Sequence, residues 1–224
     1  LHMKSFAKFA VAAAAVLSFG AQAGVTIDNF NTMDQTVSDG PALDGVGLWS
    51  QAAGLNTDTI GGYRDIFAMK TAGVTVGSTK TVSAEVAGGT YSFNSASQTS
   101  GLGIVRWDGA TAGSSSVAGA DGTYGIVKSG FAAVDMASTS VAFKVTVLSA
   151  DQGFPFTLQV FSGDNWSEIT LLSSALGTFN IPFAAFFGAN DADFSDGSTR
   201  TVHGTGVDFF GATAPQATIN PRGA

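Results

Sequence analysis

The sequence predicts an all-β protein, an antiparallel β-sandwich, and three observations carry that prediction. Short apolar stretches alternate with polar residues at a period of two, Gly, Ser, Thr and Ala fill the spaces between them, and helix signals are nearly absent. The clearest strand covers residues 141–148, where Val141, Phe143, Val145 and Val147 alternate with Ala142, Lys144 and Thr146. One face of such a strand meets a core and the other meets solvent.

The same alternation recurs at Phe156, Leu158 and Val160 and at Phe179, Ile181 and Phe183, with Pro182 marking a strand end or a sheet edge. Further candidate strands are 25–30, 66–70, 82–86, 90–93, 103–107, 124–127, 167–172 and 207–210. About ten short strands imply two packed sheets. Residues 109–122 read as a loop, and 40–62 contains a second long irregular section. With no internal repeat and no interdomain linker, one domain is expected, over residues 24–214, followed by a short disordered tail at 215–224.

Residues 1–23 read as a Sec-type signal peptide. Met3, Lys4 and Lys8 precede the apolar run 9–19, and Ala21-Gln22-Ala23 forms a cleavage triplet. The run is too short for a membrane span, which needs about 20 apolar residues. Leu1 and His2 read as a cloning remnant, leaving His203 as the one natural histidine. Cleavage before Gly24 leaves eight basic and 17 acidic residues, a charge of −9. That balance argues against nucleic acid and anionic lipid as partners. With no cysteine, disulfides, thiol nucleophiles and thiolate metal sites are excluded.

The signatures of catalysis are sparse. The nucleophile-elbow pattern Gly-x-Ser-x-Gly is missing, and His203 is the single candidate histidine base. It lies in Thr201-Val202-His203-Gly204, which reads as a turn, so a solvent-exposed loop histidine is expected. Glycosidases need two facing carboxylates. Glu85 and Glu168 are the only glutamates, and both are expected on solvated faces. Asn190, Asp191, Asp193 and Asp196 supply oxygen ligands within seven residues but lack the EF-hand spacing, and a solvated acidic turn is expected. Aromatic faces stack on sugar rings. Trp49, in a Gly-rich stretch, and Trp166, after Gly163-Asp164-Asn165, are expected as exposed ligand-binding rings, Tyr63 is a further ligand-binding candidate, and Trp107 is expected in the core.

Several pieces resemble one family in order along the chain: Ile27-Asp28-Asn29-Phe30 with Gln35-Thr36-Val37, Gly61-Gly62-Tyr63-Arg64-Asp65, Ile104-Val105-Arg106-Trp107-Asp108-Gly109, Ser149-Ala150-Asp151-Gln152-Gly153-Phe154, and Ile181-Pro182-Phe183 with Asp193-Phe194-Ser195-Asp196. They resemble the exported β-sandwich proteins of Gram-negative bacteria that carry a PEP-CTERM sorting tail. The opening Ile-Asp-Asn-Phe and the late Ile-Pro-Phe are also similar to galactose-binding-like jelly rolls of carbohydrate-binding modules. The resemblance implies a jelly-roll sandwich and a surface or matrix protein. It also implies a structural Ca2+ between the first and last strands, held by Asp28 and Asp208. Two departures stand out. Residues 197–203 are polar where an apolar strand is expected, and only residues 216–224 follow Ala214-Pro215, without the sorting signal. The product is therefore expected to be released outside the cell.

The function expected from these readings is a secreted, non-catalytic matrix or carbohydrate-binding protein whose partner is a polysaccharide or the extracellular matrix. Two alternatives stay open: a secreted hydrolase, either glycosidase or esterase, acting through carboxylates or His203, and a surface subunit that self-associates through strand edges.

Overall fold

The computed structural model describes residues 25–55, 58–73, 79–110, 115, 117–119, 122–148, 154–173, 176–188 and 199–219. The predicted signal peptide, the acidic stretch 190–196 and the last residues, 220–224, lie outside the described residues. Among those described, no helix is long and apolar enough to cross a membrane.

Among the described residues twelve strands form in chain order: β1 (Gln35–Asp39), β2 (Leu48–Ala53), β3 (Tyr63–Gly73), β4 (Val82–Ala87), β5 (Thr90–Ser95), β6 (Thr99–Arg106), β7 (Ala142–Val147), β8 (Phe154–Ser162), β9 (Asn165–Ser173), β10 (Gly177–Pro182), β11 (Thr199–His203) and β12 (Ala214–Ile219). They make a seven-stranded sheet in the order β11-β9-β8-β12-β6-β3-β2, a three-stranded sheet β1-β4-β5 and a two-stranded sheet β10-β7. Every strand pair is antiparallel. The fold is the all-β sandwich that the alternation predicts. Ile66, Val105, Val160 and Ile169 of the large sheet share one core with Val82 and Val86 of the three-stranded sheet and Phe143 and Ile181 of the two-stranded sheet.

Glycines in β6 set the distance between layers. A Cβ on Gly103 would sit 2.4 Å from the Phe93 ring and 2.9 Å from the Tyr91 hydroxyl. The missing side chain is what lets β5 lie so close to the large sheet.

The structure differs from the sequence reading at several elements, each for a physical reason. Residues 25–30 form no strand; Asp28 makes only an isolated bridge with Thr59. Residues 124–127 are a turn and its exit, with Tyr124 at φ 52, and 207–210 is a turn that buries Val207 and Phe209. Strand β1 escaped recognition because its inward residues include Gln35 and Asp39, which are buried as partners of Arg64 and of the Lys70 backbone N–H. Strand β2 forms within the section read as irregular, and β11 forms where the sequence looked polar and turn-like.

The C-terminal boundary also moves. Residues 215–219, expected in a disordered tail, belong to β12, which pairs with β8 on one side and β6 on the other. A central strand tolerates Pro215 because pairing to β6 begins one residue later, at Gln216. The proline carbonyl still accepts the Trp107 N–H at 3.1 Å.

Candidate functional site

The face of the seven-stranded sheet turned away from the core carries a polar row that crosses all seven strands. Register places Gln51, Asp65, Arg106, Gln216, Gln159, Glu168 and Thr201 directly opposite one another on successive strands from β2 to β11. Residues paired across strands share a face. Gln51 Nε2 donates to Asp65 Oδ2 at 3.1 Å. Arg106 Nε donates to Gln216 Oε1 at 2.8 Å, Gln216 Nε2 to Gln159 Oε1 at 2.7 Å, and Gln159 Nε2 to Glu168 Oε2 at 2.8 Å.

A second row runs alongside: Trp49, Phe67, Ile104, Thr218, Thr157, Thr170 and Thr199. The Thr157 and Thr170 hydroxyls bond each other at 2.7 Å. On the other side of the polar row lie Ala214, Phe161, Trp166 and His203 on four consecutive strands. Alternation along β3 puts Tyr63 on this face too.

Half of the face is covered. The connection from β6 to β7 folds back so that Thr123 and Tyr124 offer their carbonyls to Arg106 Nη2 at 2.8 and 3.1 Å. Tyr124 packs on Phe67, and Ile126 joins the cluster of Phe161, Trp166 and Ala214. Asp108 holds this strap from below, its Oδ2 accepting the Val127 N–H at 3.0 Å and its Oδ1 the Ala110 N–H at 3.4 Å. Burial pushes the Asp108 carboxyl up, opposed by the Val127 N–H, the Arg106 charge and the Ala110 N–H. Burial pulls the Arg106 guanidinium down to about 10, with Asp108 and Asp65 opposing, so it stays charged at neutral pH. Beyond the strap, Glu168, Thr170, Thr199, Thr201 and His203 remain partly exposed.

The three aromatic candidates thus share one sheet face, although their exposure differs from expectation. Trp166, expected as an exposed ring, is only 3% exposed, lying between the Phe161 ring at 5.1 Å and the His203 ring at 3.6 Å. His203 is correspondingly not a free loop residue: it ends β11 and covers the indole. Trp49 is half-buried, 4.7 Å from Phe67, with the Arg106 guanidinium 4.3 Å from its ring and its Nε1 donating to the Ser115 carbonyl at 3.0 Å. Tyr63 is also half-buried. Trp107 is in the core, as expected, at 6% exposure, and its Nε1 donates to Asp28 Oδ2 at 2.8 Å.

The proposed calcium ligands do not fit that role. The Asp28 carboxylate is buried against Arg64, whose Nη1 lies 3.2 Å from both oxygens, and it also accepts the Trp107 indole N–H and the Phe30 backbone N–H. A cation there would compete with a guanidinium already in place. Asp208 is exposed, and its Oδ1 accepts the Phe210 N–H. Among the described residues, no group of three or more His, Cys, Asp or Glu side chains gathers around a common point. Asp28→Ala is accordingly expected to lower the melting temperature equally with and without chelator. A chelator-dependent shift that disappears in Asp28→Ala would reverse this conclusion.

One other concavity opens between the two-stranded sheet and β8 and β9, lined by Val145, Val147, Phe154, Phe156, Leu171, Phe179 and Ile181. Its lining is entirely apolar, and it is the mouth of the core at one end of the sandwich. It offers no group that could orient a ligand.

The polar row was not legible in the sequence, because its bonded members sit 9 to 110 residues apart and each looks like an ordinary solvated strand residue. No known family model, curated protein or solved structure matches this chain. What the fold and this face define is an antiparallel β-sandwich with a broad, polar, half-covered sheet face.

Proposed function

We propose that the protein is an exported, non-catalytic polysaccharide-binding or matrix protein, built on a jelly-roll-type scaffold, and that it engages glycan through the outer face of its seven-stranded sheet. One observation carries the reading. Side chains of the kinds that hold sugars, the half-buried Trp49 and Tyr63, the His203 ring over Trp166, Glu168 and a row of threonines, fall on one sheet face and not on several. Aromatic groups offer apolar faces to a pyranose, while carboxylate, amide and hydroxyl groups fix its hydroxyls. The resemblance that the sequence motifs alone suggest, to carbohydrate-binding jelly rolls and to PEP-CTERM-type exported proteins, points the same way.

A glycosidase built on this row is the weaker reading. Its two carboxylates, Asp65 and Glu168, are four strands apart, about 19 Å at a spacing of about 4.8 Å per strand. Paired catalytic carboxylates stand roughly 5 to 9.5 Å apart.

The test is depletion from solution by a panel of insoluble polysaccharides, with release of reducing ends followed in the same tubes. Retention without product is expected. Thr170→Arg, which crowds the open part of the face, is expected to abolish retention. Glu85→Arg, at an exposed position of β4 in the opposite layer, is expected to leave it unchanged. Retention that survives Thr170→Arg, or steady product release, would sink the proposal.

A further inference from the structure

From Arg106 to Glu168 the hydrogen bonds of the polar row run in one direction. Arginine only donates and an ionised carboxylate only accepts, so the buried Arg106 at one end and Glu168 at the other fix both glutamines between them. Gln216 must turn its carbonyl to Arg106 and its amide nitrogen to Gln159, and Gln159 must turn its carbonyl to Gln216 and its nitrogen to Glu168. A chain of donors aligned this way is polarised along its length and holds each member in one orientation. Arg106, Gln216 and Gln159 are buried, whereas Glu168 is half-exposed. The row therefore delivers one oriented carboxylate to the open edge of the face.

Among the described residues, the outer face around that carboxylate carries neutral hydroxyls and the His203 ring. Thr201 stands directly across from it on β11, Thr170 lies two residues along β9, and His203 lies two residues beyond Thr201. The Gln159 amide occupies one acceptor position of Glu168, and a carboxylate has about four. Arg200 is on the opposite face of β11, where its Nη1 donates to the Ala185 carbonyl at 3.2 Å. Hydroxyl or ammonium donors on a ligand would find an oriented acceptor here, and an anionic sugar would meet a like charge.

We propose that the open end of the row is a subsite selective for glycans without negative charge, with Glu168 accepting hydrogen bonds from ligand hydroxyl or amino groups. Arg106, Gln216 and Gln159 are positioning residues that keep the carboxylate aimed. This rests on the glycan-binding reading and adds the class of glycan and the group that selects it.

Affinity gel electrophoresis of the full chain against a soluble uncharged β-glucan, a chitosan and an alginate tests it. Migration of the parent is expected to be retarded by the β-glucan or the chitosan and not by the alginate; which of the two acts distinguishes hydroxyl from ammonium donors. Glu168→Gln is expected to weaken that retardation roughly 10- to 100-fold, the range of one hydrogen bond to a charged group. Glu168→Lys is expected to lose chitosan and to gain alginate, a gain that unfolding cannot mimic. If the parent binds an uncharged glycan and both variants bind it equally well, the subsite is refuted while glycan binding stands. A parent that prefers alginate also refutes it. A parent that ignores all three removes the subsite and the glycan reading together.

Discussion

Arg64→Met is expected to destabilise the protein by about 3–5 kcal/mol, the range found when one partner of a buried ion pair is removed. The guanidinium is fully buried at the centre of a network. Its Nε donates to Gln35 Oε1 at 2.6 Å, its Nη1 reaches Asp28, and its Nη2 donates to the Thr32 and Met33 carbonyls at 2.8 and 2.5 Å. Methionine fills similar space, so the loss comes from charge and hydrogen bonds and not from a cavity. Asp28 would be left as a buried carboxylate held only by the Trp107 and Phe30 N–H groups. Met33 and Phe30, both at positive φ (58 and 56), would lose the contacts that hold this uncommon conformation.

Urea denaturation measures the effect directly, and the melting temperature is expected to fall by roughly 2–4 °C per kcal/mol for a domain of this size. Adding Asp28→Asn to Arg64→Met is expected to recover part of the loss, because the unpaired charge is then gone. That non-additivity marks a coupled pair. A loss below about 1 kcal/mol, or strict additivity of the two substitutions, would mean that the pair does not hold residues 25–34 against the sheet.

Trp166→Ala is expected to cost about 3–5 kcal/mol, as for other buried Trp or Phe truncations. The indole is the middle of a pile: Phe161 beneath, His203 above at an interplanar angle of 9°, and Ile126 of the strap alongside. Its removal opens a cavity and leaves both the edge strand β11 and the strap without a surface to rest on. Trp166→Phe keeps most of the area and is expected to lose less. Near-ultraviolet circular dichroism should show the stacked indole signal disappear in both variants. A Trp166→Ala protein within about 0.5 kcal/mol of the parent would instead fit the exposed ring expected from the sequence. The expectation fails at this residue for a definite reason. The turn signalled by Gly163-Asp164-Asn165 does form, with Gly163 at φ 62, but the residue after it already belongs to β9 and is covered by His203, its cross-strand neighbour 37 positions later.

That residue illustrates a general division between what is local and what is not. Strands with apolar alternation, β3, β4, β7, β8, β9 and β10, were legible because each needs only its own pattern of inward and outward residues to be recognised. The assignments of Trp107 to the core and of Pro182 to a strand end follow from the same local logic. Strands β1, β11 and β12 were not legible, since polar residues occupy their inward or buried positions. Gln35, Asp39 and Gln216 are tolerated inside because Arg64, Lys70 and Arg106 supply donors from other strands. Hydrophobic periodicity carries no trace of such long-range pairing.

By itself, then, the amino-acid sequence determined that the chain is all-β, free of cysteine, acidic, and arranged as short antiparallel strands around an apolar core, because those properties follow from composition and from a period of two. Only the tertiary structure decided which face of which sheet gathers Trp49, Tyr63, Trp166 and Glu168, that Asp28 pairs with Arg64, and that a strap covers half of the face. These are matters of strand order and register, and β12, which joins β6 to β8 and completes the polar row, is contributed by residues more than 100 positions away from Arg106. A pattern confined to one strand says which side of that strand is wet, but it takes the pairing of all seven to say what stands next to what.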